Sequence, residues 1–172
     1  MSTLDSPAVA ALLTQLFAHA DSGDPATFER VNAALKQLPH PPDQRQRAEL
    51  MRDVYMPISP DVGRLLYVLA RTRNAKLVVE FGTSFGISGI HLAAALRDAG
   101  GGRLIATELD PIKAERAAHN FRAAGLSEVI DLRVGDAFGT LKAGLGTKVV
   151  VLPTLDPSAR TIDFQDNPVV AK

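Results

Sequence analysis

A glycine-rich turn follows the first β-branched run of the chain and is the clearest candidate for chemistry. The run Leu77-Val78-Val79 is typical of a strand buried on both faces, and Gly82, Gly86 and Gly89 come after it, around the start of a predicted helix. Glycine allows positive φ and lets a ligand approach the backbone, while free N–H groups at a helix start favour an anion. The sequence therefore predicts a ligand-binding turn at the carboxyl end of this strand.

Acidic residues follow the first three predicted strands. Glu80 ends the first, Glu108 ends the second and Asp136 comes just after the third. An acid after the second strand can accept hydrogen bonds from both hydroxyls of a ribose. In the same site, Asp136 could accept a hydrogen bond from an adenine amino group, and Glu80 suits a ligand that carries an ammonium group. The turn and the three acids together predict a site for a nucleoside-containing ligand.

Structural roles remain open for each of these residues. Gly82 and Gly86 could be turn glycines of an α/β domain without a ligand, and Glu108 could be a solvated acid at a strand end. Asp136 could cap the short helix that follows it, and this role is compatible with ligand contact. A dehydrogenase is a weaker interpretation, because the spacing of its G-x-G-x-x-G fingerprint is not met after Gly82.

Strands alternate with helices after Asn74, and this order predicts an α/β fold with a parallel, Rossmann-like sheet. We expect about four strands, at Leu77-Val78-Val79, Leu104-Ile105-Ala106, 129–134 and 148–152. The expected organisation is an N-terminal helical segment at 1–74, the Rossmann-like region at 75–152 and an irregular tail at 153–172.

Capping signals divide the N-terminal segment into four predicted helices. Ser6-Pro7 opens the first, Asp24-Pro25 the second and Ser59-Pro60 the fourth, while residues 43 to about 55 form the third. Ser59 is expected to serve as an N-cap. The apolar stripe of the fourth helix, which should face the core, consists of Val62, Leu65, Leu66 and Leu69.

The composition of the chain excludes several kinds of functional site. The chain of 172 residues has no cysteine, which excludes disulfides, zinc-cysteine sites and thiol catalysis. Its formal net charge of zero gives no electrostatic case for nucleic acid. The apolar run at 8–17 is too short and too polar to span a bilayer, and because no basic segment precedes it we do not expect a signal peptide. We therefore expect a cytoplasmic protein with neither nucleic-acid nor membrane partners.

Four sequence blocks resemble the class I S-adenosylmethionine-dependent O-methyltransferases related to catechol and caffeoyl-coenzyme A enzymes. The blocks are 56–60 with Gly63, 80–88, 106–110 and 135–137. The resemblance implies S-adenosylmethionine as cofactor and O-methylation of a small-molecule acceptor. It implies that Glu108 binds the ribose, that Asp136 and Ala137 lie near the adenine, and that the methionine part is lined by Gly82, Thr83, Ser84 and Ser88. Further cofactor-binding candidates within the blocks are Met56, Ser59, Glu80 and Leu109.

The chain departs from the family pattern after Leu141. The surroundings of Asp156 do not match the acidic loop that supplies metal ligands in some relatives, so no metal ligand and no catalytic base are carried over. We expect a chain that is truncated after the fourth strand, and therefore a homo-oligomer or a complex with a complementing chain. The alternative function is a non-catalytic module for cofactor binding or interaction, either a remnant or one half of a split enzyme.

Overall fold

The computed structural model describes residues 1–141 and 150–153, and its centre is a parallel sheet. The strands are β1 (Leu77–Phe81), β2 (Arg103–Glu108), β3 (Ile130–Val134) and β4 (Val150–Pro153). They lie side by side in the order β3-β2-β1-β4, and every pairing is parallel. Because β1 lies between β2 and β4, the strand order reverses there, which is where α/β sheets of this type bind ligands. The predicted α/β fold is confirmed.

Six α-helices surround the described part of the sheet. They are α1 (Pro7–Gln37), α2 (Gln44–Leu50), α3 (Pro60–Thr72), α4 (Ile87–Asp98), α5 (Pro111–Ala123) and α6 (Ala137–Thr140). Within the described residues, no helix combines the length and the apolar character needed to cross a membrane.

Helix α4 is the centre of the larger core. It is apolar on all sides, and its residues 89–96 are all buried, as expected for a helix enclosed by other elements. The sheet lies against it with Val78 and Leu104, and Leu13 of α1, Ala70 of α3 and Phe121 of α5 belong to the same cluster. Helices α1 and α3 therefore share one core with the sheet.

The prediction that Asp24-Pro25 opens a second helix is wrong. Helix α1 continues through Pro25 from Pro7 to Gln37, although proline has no N–H to donate to the preceding turn. The carboxylate of Asp24 does not cap its own helix but accepts hydrogen bonds from Tyr55 N and Met56 N. The sequence gives no sign of this tertiary contact, which occupies the Asp24 carboxylate that was expected to cap a second helix.

The third predicted helix is shorter than expected. Helix α2 begins after Asp43, whose side chain forms a capping box with Gln46, and it ends at Leu50 instead of near residue 55. Beyond Leu50 the backbone leaves the helix, and the N–H groups of Tyr55 and Met56 are bound by Asp24.

The apolar stripe of α3 does not face the core as predicted. The helix packs against α4 through Gly63 and Ala70, and the small size of Gly63 is required because a Cβ there would lie 2.5 Å from His91 Nε2. Of the predicted stripe only Leu66 packs against the core. The other members of the stripe are 40–54% exposed, namely Val62, Leu65 and Leu69. Val68, which was not part of the predicted stripe, is exposed to a similar extent. Close helix packing through small residues therefore turned the large apolar face outward.

Candidate functional site

The glycine-rich turn joins β1 to α4 with three residues at positive φ. Gly82 has φ 78°, Ser84 has φ 50° and Gly86, the N-cap of α4, has φ 88°. A Cβ at Gly86 would lie 2.6 Å from Cε1 of Phe121 on α5. Glycine is thus required at position 86 both by its backbone conformation and by the close approach of α5.

Hydrogen bonds join this turn to the end of β2. Gly82 N donates to Thr107 Oγ1 at 3.1 Å, and Thr83 N donates to the Thr107 carbonyl at 2.8 Å. Ser84 N donates to Glu108 Oε2 at 2.8 Å. The glycine turn of β1 and the acid of β2 therefore form one continuous surface, as their placement in the sequence predicted.

Glu108 also connects β2 to the loops on its other side. Its Oε1 accepts a hydrogen bond from Asp110 N at 3.0 Å, and its backbone carbonyl accepts one from Gly135 N at 2.8 Å. The side chain is oriented by two backbone N–H groups, and each carboxylate oxygen keeps a second lone pair for a further donor. Leu109, next to it, lines a cavity of about 320 Å³ together with Gly135 and Arg52. The acid expected to bind a ribose is thus held in place by backbone groups, and its neighbour Leu109 lines the cavity.

Glu80 is an unusual buried acid. It is only 2% exposed, and in the described structure neither its carboxylate oxygens nor Oγ1 of Thr83 form a well-aligned hydrogen bond, although the hydroxyls of Ser88 and Thr83 lie close to the carboxylate. Burial raises the pKa of the Glu80 carboxyl, although the nearby hydroxyls of Ser88 and Thr83 act in the opposite direction. Unpaired polar groups in a protein interior are costly, so they indicate a place where a ligand or water completes the hydrogen bonding.

Two candidate residues serve as helix caps. Ser59 Oγ accepts a hydrogen bond from Val62 N at 3.3 Å at the start of α3, as expected. Asp136 caps α6 by accepting from Phe138 N at 2.9 Å, and its side chain remains exposed. Ala137, the first residue of α6, is buried. These contacts confirm the capping interpretation and leave ligand contact as a prediction.

Met56 lies beside the glycine turn. It has φ 45° and is 52% exposed, and the preceding carbonyl, that of Tyr55, accepts a hydrogen bond from Ser84 Oγ at 2.8 Å. The structure therefore brings the 56–60 block of the sequence together with the 80–88 block.

Sequence analysis missed a buried lysine at the site. Lys113 on α5 is 5% exposed, its Nζ donates to Ser84 Oγ at 3.2 Å, and it lies 5.6 Å from the ring centroid of Phe85. Burial lowers the pKa of Lys113, while the carboxylates of Glu108 and Asp110 favour its charged form. The only signal in the sequence was its place one turn after the Asp110 cap, on the face of α5 that also carries Ala117.

No group of three potential metal-ligating side chains occurs within residues 1–141 and the β4 segment. Asp156 lies outside the described residues. The described candidate site thus consists of a glycine turn, carboxylates, hydroxyls and one buried lysine.

Comparisons with known proteins identify several similar sequences and structures. The chain is 40% identical over 84 residues to catechol O-methyltransferase of Niastella koreensis, a match that covers 49% of this chain and 37% of that protein. It is 39% identical over 95 residues to catechol O-methyltransferase of Mycobacterium tuberculosis, covering 55% of this chain and 40% of the relative. The chain thus spans about two fifths of the length of these curated relatives.

Solved structures share the fold. The O-methyltransferase TomG of Streptomyces achromogenes, involved in tomaymycin synthesis and solved in complex with S-adenosylmethionine, superposes with a TM-score of 0.52 and 31% identity over 71% of this chain and 59% of its own. The Bacillus cereus O-methyltransferase in complex with S-adenosylhomocysteine has a TM-score of 0.54 at 23% identity, over 72% of this chain and 60% of its own.

A sequence model of the O-methyltransferase family matches residues 33–152, which is most of the chain. The matched range includes the glycine turn, the acids in or just after the carboxyl ends of β1, β2 and β3, and the strand β4 that borders β1. On these grounds the chain belongs to the O-methyltransferase family.

Proposed function

We propose that this chain binds S-adenosylmethionine at the carboxyl edge of β1, β2 and β3. The observation that carries the proposal is the bond from Ser84 N to Glu108 Oε2, because it makes the glycine turn and the strand-end acid one preformed surface. Glu108 would bind the ribose, and Asp136 with Ala137 and Leu109 would border the adenine. The methionine part would meet Glu80, Gly82, Thr83, Ser84 and Ser88, with Met56 and Ser59 at the adjoining segment.

The residues present fit this cofactor. The carboxylate of Glu80 is buried close to the hydroxyls of Ser88 and Thr83 without a well-aligned hydrogen bond, and an ammonium group would supply a strong donor to it. We further expect backbone N–H groups at the start of α4 to favour the carboxylate of an amino acid. Both ends of a methionine moiety would then have complementary groups at the turn.

The reaction that we propose is methyl transfer to an oxygen of a small-molecule acceptor. The cofactor would supply a methyl group on an already activated sulfonium, so the protein has mainly to align the reactants and exclude water. Transfer would leave S-adenosylhomocysteine as a neutral thioether, and the acceptor hydroxyl would lose its proton to a base or with the help of a metal ion that lowers its pKa. In this chain Glu108 and the turn at Gly82–Ser84 would fix the orientation of the cofactor. Catechol O-methyltransferase is the name of two relatives, which makes a catechol the first acceptor to test.

Calorimetry and a transfer assay test the proposal separately. Titration of the purified chain with S-adenosylhomocysteine should show one binding site. Incubation with methyl-labelled cofactor and a panel of catechols and other phenols, with and without Mg²⁺, should transfer label to the acceptor. A folded protein that shows no binding heat contradicts the proposal at its first step.

The second candidate function is a non-catalytic cofactor-binding or interaction module, and the exposed apolar face of α3 favours it. Four large apolar side chains lie on this face, and such patches mark interaction surfaces. Cofactor binding without methyl transfer to any acceptor would support this candidate.

We further propose that the chain acts in the cytoplasm and associates with a second copy or with a complementing chain. The exposed α3 face supports association. Size-exclusion chromatography with light scattering is the test, and a monomer at high concentration would contradict self-association.

A further inference from the structure

The buried carboxylate of Asp24 holds a segment that borders the candidate site. Asp24 Oδ1 accepts a hydrogen bond from Tyr55 N at 2.8 Å, and Oδ2 accepts one from Met56 N at 2.9 Å. Asp24 is 8% exposed, and Met56 has φ 45°. Two successive N–H groups that converge on one anion form a backbone nest, so the anion fixes the conformation of both residues.

The same segment is attached to the glycine turn on its other side. The Tyr55 carbonyl accepts a hydrogen bond from Ser84 Oγ at 2.8 Å, and the Tyr55 ring stacks on Phe85 at 3.8 Å with an interplanar angle of 11°. Ser84 in turn donates its N–H to Glu108 Oε2. A continuous path of contacts therefore leads from the middle of α1, through Tyr55 and Ser84, to the acid of β2.

Helix α1 itself does not need this carboxylate. The acid lies at the centre of a 31-residue helix, and both its oxygens are used on backbone groups about thirty residues further along the chain. Residues 54–59 form no helix or strand of their own, so their conformation depends on such side-chain contacts. The arrangement therefore serves the segment and the turn beside it.

We propose that Asp24 is a positioning residue of the cofactor site, because it holds Tyr55 and Met56 against the turn at Ser84. This inference rests on the proposed function, since it assumes that S-adenosylmethionine binds at that turn. Asp24 acts through the segment and does not itself touch the cofactor. Loss of its carboxylate should release Met56 and loosen Ser84, and small displacements of positioning groups cost substantial affinity.

The test compares two carboxylates that each accept hydrogen bonds from a distant segment of the chain, one beside the candidate site and one far from it. Asp24→Ala should weaken S-adenosylhomocysteine binding about ten- to hundredfold, and Asp24→Asn, which keeps one acceptor, should weaken it less. The matched control is Asp98→Asn at the far end of α4, where Asp98 accepts from Thr3 N at 2.8 Å and Tyr67 Oη at 2.7 Å. This control should lose stability but keep its affinity within about twofold.

Amide hydrogen exchange supplies a readout that does not depend on cofactor. The Tyr55 and Met56 amides should exchange faster in Asp24→Ala than in the wild type and should be unchanged in Asp98→Asn. Circular dichroism at the assay temperature verifies that each variant is folded.

The outcomes separate the two proposals. If the wild type binds S-adenosylhomocysteine and Asp24→Ala binds it equally well, the positioning role is overturned and the proposed function stands. Equal losses in Asp24→Ala and Asp98→Asn would show that only general stability is involved, which also overturns it. If the folded wild type does not bind, the proposed function fails and this inference fails with it.

Discussion

Replacing Glu108 by alanine separates the two roles that its carboxylate has in the structure. The carboxylate satisfies Ser84 N at 2.8 Å and Asp110 N at 3.0 Å, and we propose that its remaining lone pairs receive the ribose hydroxyls. Alanine leaves both backbone donors without their acceptor. A buried donor without a partner costs about 1–3 kcal/mol, so the free energy of unfolding should fall by about 2–6 kcal/mol for the two together.

The affinity for the cofactor should also fall, and this loss can be measured separately from the loss of stability. Loss of the ribose contact should cost about 1–3 kcal/mol, which corresponds to a roughly 5- to 150-fold weaker affinity for S-adenosylhomocysteine. Glu108→Gln keeps the shape and one acceptor oxygen, so both effects should be smaller. Urea denaturation measures the first quantity, and calorimetry at a temperature where every variant is folded measures the second.

Glu115 provides the control, because it is an exposed acid on α5. Glu115→Ala should change neither stability nor affinity by more than about 0.5 kcal/mol. The reasoning is refuted if Glu108→Ala loses stability as calculated but binds S-adenosylhomocysteine like the wild type. In that case Glu108 only holds the loops together.

Three further variants test other parts of the structure. Gly82→Val should lower cofactor affinity at least about tenfold, since a β-branched residue resists the φ of 78° and blocks approach to the backbone; calorimetry that finds wild-type affinity would place Gly82 outside the site. Because burial raises the pKa of Glu80, folding favours its protonated form and the contribution of Glu80 to stability should decline as the pH rises above about 4.3. The difference in unfolding free energy between the wild type and Glu80→Gln should therefore change between pH 4 and pH 8, and urea titrations that give the same difference at both pH values would contradict this prediction. Leu65→Gln on the exposed face of α3 should change stability by less than about 0.5 kcal/mol, whereas Leu92→Ala in the buried α4 should cost about 2–5 kcal/mol. A large loss of stability in Leu65→Gln would mean that the α3 face is covered.

The parallel sheet and the positions of its strands could be predicted from the sequence because the signals are local. The run of β-branched residues at Leu77-Val78-Val79 and the glycines that follow mark both β1 and its turn, and short apolar runs mark β2 and β3. Glu108 could be assigned to the site because parallel strands place their carboxyl ends at one edge. The contact of Glu108 with Ser84 follows from that topology.

The errors arose where tertiary contacts override local signals. Asp24-Pro25 has the residue types of a helix start, but its carboxylate binds a segment that is distant in sequence. The apolar stripe of α3 has helical spacing, but the position of Gly63 against His91 decides which face approaches α4. Lys113 escaped notice because a lysine is normally exposed, and only the packing of α5 on the turn buries it.

The enclosure of α4 has a consequence for how this chain tolerates sequence change. Ala93, Ala94 and Ala95 are consecutive and fully buried. On three sides of the helix there is therefore no room for a side chain larger than a methyl group. A larger residue in any of them would push a neighbouring element outward, and the displacement would be transmitted along the helix to Gly86 and Ser88 at its first turn. Genetic variation in α4 should therefore be confined to its ends, and a saturation library selected only for folding should already recover the small residues at these three positions.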